Sequence, residues 1–223
     1  MKKNSAFLMM VILLFSCSNK LEIDGLWVVE NVKVSDRNMT PNGRWMRFNS
    51  DSTQQSGNGW HQHSVGTWRF PPKTKELEVI NTNGYEDTYE PFIVSFSNDT
   101  MIWKRTEDSH EVTVILSKTN EMPQTYADQL LGLWDLEKAM ENGNDITTKY
   151  DSDQKRYLFF RWDKRFVIRH TPDGTVTGVY NVNGHQPEMT WIFDDRNKER
   201  LSWKFDVSDE KLSIVSITPD GHQ

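Results

Sequence analysis

Cysteine occurs once, at position 17, in a chain of 223 residues. One thiol excludes an intramolecular disulfide framework and any zinc site built from several cysteines. Basic residues are in the minority, 26 against 32 acidic, for a formal net charge of −6. Such a balance gives no basic face, so nucleic acid is excluded as a partner. Long apolar runs are also lacking. The unbroken one, Ala6 to Phe15, has ten residues, whereas a helix crossing a bilayer needs roughly 20. Gly-x-Ser-x-Gly, His-Glu-x-x-His, the phosphate loop and the dinucleotide fingerprint are all missing. The expectation is a non-catalytic protein without a cofactor. What the chain has in quantity is aromatic side chains, 12% of residues with nine Trp, and disordered chains are poor in aromatics.

The N-terminus reads as a targeting segment. Lys2 and Lys3 precede the apolar run, and residues 1–16 form a secretory signal peptide. Its end, Leu14-Phe15-Ser16-Cys17, resembles a bacterial lipobox. That resemblance implies cleavage before Cys17 and acylation of its thiol and freed amine. Several acyl chains anchor stably where one does not. Residues 17–22 would then be a tether to the membrane. Without Lys2 and Lys3 the count is 24 basic against 32 acidic residues, about −8. Anionic lipid would not attract such a surface, which leaves anchoring to the acyl chains. An outer-membrane location, facing either the periplasm or the exterior, follows as the expectation.

Internal repetition comes next. Gly25-Leu26-Trp27 recurs as Gly132-Leu133-Trp134, an offset of 107. Phe48 matches Phe160, Gly66-Thr67-Trp68 matches Gly178-Val179-Tyr180, and Leu77 matches Met189, all at 112. Met101 matches Leu212 at 111. The offset changes in polar connections, as in duplicated domains. The expected organisation is a domain at 23–118, a linker with a short helix at 119–130, and a second domain at 131–223. Pro123 to Leu131 has the helical pattern, with Tyr126, Leu130 and Leu131 on one face.

Period-2 alternation and turn clusters place strands near 26–33, 44–49, 52–56, 64–70, 75–80, 91–96, 100–105 and 111–117. The second copy gives 133–140, 156–162, 165–170, 175–182, 188–193, 200–206 and 211–216. It ends without a counterpart of 111–117, so its last strand lacks an evident partner. The fold class is all-β: two tandem antiparallel meander barrels of about seven or eight strands each.

Gly-Leu-Trp on the first strand, Gly-Thr-Trp on a central one and about eight meander strands resemble the lipocalin-like domains of secreted bacterial lipoproteins, which are frequent in the Bacteroidetes. The resemblance covers 23–118 and 131–216. It implies an Arg on the last strand stacking on the Trp, for which Arg105 is the candidate. It also implies a small apolar or amphipathic ligand held inside a barrel.

Alternation points Met46, Phe48, Trp68, Phe70, Leu77, Val79, Phe92, Val94, Met101 and Trp103 inward in the first copy. Leu158, Phe160, Tyr180, Val182, Met189, Trp191, Leu201, Trp203 and Phe205 do so in the second. An eight-stranded barrel is either filled by side chains or holds one small ligand. Candidate ligand contacts are Trp60, Trp68, Trp103, Tyr180 and Trp191. Trp60 sits in Gly57-Asn58-Gly59-Trp60-His61-Gln62-His63, a Gly-flanked hairpin where it could fold over a barrel mouth. His61 and His63 would share a strand face, but two imidazoles without a third ligand do not make a metal site. Trp45 and Trp162 point outward. The alternative to ligand binding is a filled-barrel interaction module, an accessory subunit for an envelope protein partner in uptake or secretion.

Overall fold

A computed structural model describes residues 23–217 except Tyr85 and Asp173. The segments expected as signal peptide, lipobox with Cys17 and tether lie outside the described residues. The first copy forms β1 (Gly25–Val34), β2 (Arg37–Asn38), β3 (Arg44–Phe48), β4 (Thr53–Asn58), β5 (His61–Arg69), β6 (Glu76–Asn81), β7 (Phe92–Ser97), β8 (Thr100–Glu107) and β9 (His110–Thr119). Neighbours in sequence pair antiparallel, and β1 returns to pair with β9 from Leu26↔Thr119 to Val34↔Val112. The eight long strands thus close into a barrel, which leaves no long edge open; β2 is a two-residue appendage on the end of β1.

The linker helix is α1 (Tyr126–Leu130). Thr125 starts it with a capping box: its hydroxyl accepts from the Asp128 N–H, and the Asp128 carboxylate accepts from the Thr125 N–H at 2.7 Å. Leu130 is fully buried and Tyr126 meets Phe205 edge-on at 6.2 Å. Leu131 does not share that face. The backbone turns extended there, at φ −59° and ψ 127°, and the side chain is 38% exposed.

The second copy follows as β10 (Gly132–Asp135), β11 (Met140–Glu141), β12 (Asn144–Asp145), α2 (Thr147–Tyr150), β13 (Tyr157–Phe160), β14 (Arg165–Thr171), β15 (Gly174–Val182), β16 (Glu188–Phe193), β17 (Leu201–Ser208) and β18 (Lys211–Ser216). Seven strands form a nearly closed barrel in the order β10-β13-β14-β15-β16-β17-β18, and β11 and β12 pair only with each other. Among the described residues nothing joins β18 to β10. The strand expected at 133–140 therefore stops at Asp135, for a reason visible in the first barrel. There β3 holds only Gly25 to Val28 of β1, and β9 holds the rest out to Val34. Among the described residues of the second copy no strand takes the place of β9, so β10 keeps only its four-residue ladder with β13.

The duplication is written in the hydrogen bonds. Trp27 Nε1 donates to the Ile23 carbonyl at 2.7 Å, and Trp134 Nε1 donates to the Leu130 carbonyl at 2.8 Å. In each case the acceptor is the backbone carbonyl of a buried aliphatic residue four positions earlier. Trp68 Nε1 donates to the Asn49 carbonyl and the Tyr180 hydroxyl donates to the Arg161 carbonyl, both at 3.0 Å. The cation over Trp27 is Lys118 on β9, at 5.4 Å from the ring centre, not Arg105, which lies over Phe92 at 3.9 Å.

The two barrels have separate cores. Every inward residue expected in the first copy belongs to, or packs against, its cluster around Trp27, Phe48 and Met101. The second cluster centres on Phe160, Phe166, Tyr180 and Trp191. Leu201 departs from the expectation: it opens β17 and is 40% exposed. Trp45 leaves the barrel wall outward but is buried, at 2% exposure, with Nε1 donating to the Gly59 carbonyl at 2.9 Å.

Candidate ligand-binding cavity

The first barrel contains a cavity of about 490 Å³ open at one end, within the roughly 300–1,000 Å³ range of small-molecule sites. The β1–β3, β4–β5, β6–β7 and β8–β9 connections lie at that end of the meander. The opposite end holds Ile23, Trp27 and Phe48, each at most 2% exposed.

Two local features make the space. The first is a splay between β6 and β7, which pair only at Glu76↔Ile93 and Leu77↔Phe92. Beyond Leu77 the strands part, and the connection 82–91 fills the rim. In the second barrel the matching β16 and β17 pair at four positions and the connection 194–200 is shorter. The second feature is side-chain volume. Gln54 and Ser56 are the buried inward residues of β4, where β14 carries Phe166 and Ile168 at the offset of 112. Val79 on β6 likewise matches Trp191 on β16. In the second barrel Phe166 stacks on Trp191 at 4.8 Å, and Trp191 meets Trp203 at 5.1 Å. Those rings occupy the volume that the first barrel leaves open.

The walls combine apolar and polar groups. Leu77, Val79, Phe92, Trp103 and Val114 give the apolar part. Arg44, Ser56, Asn81, Asp87 and Arg105 also line it. Gln54 Nε2 donates to Asn81 Oδ1 at 2.9 Å, which ties the buried Gln54 amide to the lining Asn81. Arg105 donates to Asp87 at 2.7 Å and to Glu107 at 2.6 Å. Burial pushes the Arg44 guanidinium below its ordinary value. Burial also lowers the neighbouring His63, followed by the charges of Arg44 and His61. These shifts favour the neutral imidazole, whose Nε2 lies against Arg44 Nη1 and 3.0 Å from Asn58 Oδ1.

Of the five candidate contacts, Trp103 lines the cavity. Trp68 packs edge-on against Phe48 at 5.5 Å, tied to the β3–β4 turn. Tyr180 and Trp191 are core residues of the second barrel, 3% and 4% exposed. Trp60 stands 73% exposed on the β4–β5 turn, outside the cavity wall. The His61 and His63 rings lie 6.2 Å apart, and among the described residues no group of three potential ligands gathers around them or elsewhere. Also among the described residues, no helix is long and apolar enough to cross a membrane.

Arg44, Gln54 and Ser56 are the site residues that alternation alone passes over, because inward positions are expected to be apolar. For Gln54 and Ser56 the position-by-position comparison of the two copies carries the signal, because Phe166 and Ile168 stand at those places in the second copy; Arg44 is matched by Arg156 and gives none. No family model matches the chain, and no curated protein is significantly similar to it.

Proposed function

We propose that the first barrel binds a small amphipathic molecule, and that the chain is a lipid-anchored, lipocalin-like protein of the bacterial cell envelope. The observation that carries the reading is the asymmetry between the copies: one barrel keeps a cavity of about 490 Å³ where its duplicate is packed with Phe166 and Trp191. Burial of a ligand's apolar part against Leu77, Val79 and Phe92 would supply affinity, while the polar rim would keep its head near water. No chemical step is asked of the protein.

The test copies the second barrel into the first. Mature, non-acylated protein purified from its own host should carry a stoichiometric small molecule in native mass spectrometry, and Val79→Trp should lose it. A bare mass for the unaltered protein would overturn the reading. Anchoring is tested separately: Cys17→Ala should release the protein from the membrane fraction or leave it unprocessed. A mature, acyl-bearing variant would disprove the lipobox.

A second reading has its own observation. The second barrel is filled, yet Leu133 and Phe159, paired across β10 and β13, are 57% and 37% exposed, and Trp162 is 82% exposed. An apolar strip of this kind suits contact with another envelope protein. The two readings are compatible, one for each barrel. Leu133→Ser with Phe159→Ser should abolish a co-purifying envelope partner and leave the ligand in place.

A further inference from the structure

Two arginines line the cavity, and they differ in how their charge is met. Arg105 is saturated: Asp87 and Glu107 accept from it, and Phe92 and Tyr89 lie under its guanidinium at 3.9 and 5.1 Å. Arg44 has neutral partners throughout. Its Nη2 donates to Ser56 Oγ at 3.3 Å and approaches the Met46 sulfur at 4.0 Å, and its Nη1 lies against the His63 ring. Among the described residues no carboxylate lies within ion-pair distance of Arg44. Of the acids around the cavity, Glu78 is taken by Arg69 at 2.9 Å, Asp87 is taken by Arg105, and Glu86 is exposed at the rim. A partly buried guanidinium without a counter-ion is costly to keep. A second donor points the same way. Trp103, in the same wall, has Nε1 buried with no acceptor.

The duplicate supplies a control. Arg156 matches Arg44 at the offset of 112, but it donates to the Tyr150 carbonyl at 3.4 Å and lies over the Tyr150 ring at 5.2 Å. Where the interior is filled, this arginine turns to the protein's own groups. Where the interior is open, it faces the space without an anion.

We propose that the ligand of the first barrel is a carboxylate-headed amphiphile, its head seated on Arg44 and its chain lying against Val79, Phe92 and Trp103. This rests on the first barrel being a binding compartment. A guanidinium presents paired N–H groups that match a carboxylate in a two-point contact. Ser56 in the same wall accepts from Arg44 Nη2, and the polar β4 wall is the replacement that makes room for the head. The neutral His63 beside Arg44 adds no competing charge.

The experiment uses decanoate and decanol, equal in chain and different in head, titrated calorimetrically into the mature non-acylated protein. Decanoate should bind about ten- to a hundredfold more tightly, the span expected of hydrogen bonds to a charged group. Arg44→Met should bring decanoate down to the decanol level, and Arg44→Lys should restore part of the preference. Equal affinities for the two probes in the unaltered protein would overturn the inference and leave the compartment standing. Binding of neither would overturn both. Because the unaltered protein alone decides between these outcomes, a poorly folding Arg44 variant cannot obscure the answer.

Discussion

Tyr180 and Trp68 hold the same place in the two copies, each donating to a turn carbonyl 19 residues earlier. The exchange of indole for phenol makes the second barrel sensitive to alkali. Burial, then the charges of Asp163 and Asp128, push the Tyr180 hydroxyl up to about 12. Below the ordinary tyrosine value of about 10, the folded and unfolded chains both keep the proton. Between there and 12 the unfolded chain releases it while the folded one retains it, so stability falls as pH rises, by about 2–3 kcal/mol over the window. Urea denaturation at pH 9 and pH 12 should show this loss, and Tyr180→Phe should shrink it. The same variant should cost about 1 kcal/mol at pH 9, the worth of its hydrogen bond. An undiminished loss in the variant would assign the alkaline sensitivity to other groups. At this scale the core was legible and the cavity was not. Alternation identifies Phe48, Leu77 and Met101 because burial follows the pleat. Arg44 is inward by the same rule, but its importance comes from the parting of β6 and β7, a tertiary event that no local pattern encodes.

Strand β9 has no counterpart among the described residues of the second copy, and this has two consequences. It shortens β10, and it leaves β10 and β18 with one unpaired side each among the described residues. Unpaired strand edges exchange their outward amides with water. Hydrogen–deuterium exchange should therefore show β9, held by both β1 and β8, exchanging far more slowly than β18, held by β17 alone. Equal protection would mean that the second barrel is closed by a partner. Most strands were legible to within two or three residues, and β16 and β18 agree at both ends with the alternation pattern. The failure at 133–140 is instructive. Residues beyond Asp135 resemble a strand by analogy with β1, but a strand persists only where a neighbour accepts its hydrogen bonds. In the first copy that neighbour is β9, far downstream of β1 and beyond the reach of any local window.

On the scale of the molecule, the two cores share no residue. Between the barrels the structure shows a few polar contacts. The Asn42 N–H donates to the Gly184 carbonyl at 2.8 Å, and His185 Nδ1 lies 3.0 Å from the Thr40 carbonyl. Such bonds, part-exposed, contribute about 1 kcal/mol each, too little to fuse two barrels of this size into one cooperative unit. Matched glycines allow the point to be tested. A methyl group on Gly66 would collide with the Ile80 carbonyl oxygen, and one on Gly178 would collide with the Ile192 carbonyl oxygen. Neither strand can move away without breaking its ladder, so each Ala substitution should cost about 1–3 kcal/mol, within its own barrel only. Urea titration followed by tryptophan fluorescence should then resolve two transitions, the seven-stranded barrel unfolding first because among the described residues no strand closes β18 onto β10. Gly66→Ala should lower the later midpoint alone and Gly178→Ala the earlier one alone. A single transition that moves as a whole with either substitution would show that the barrels fold as one unit, and that a ligand entering the first is felt directly by the stability of the second.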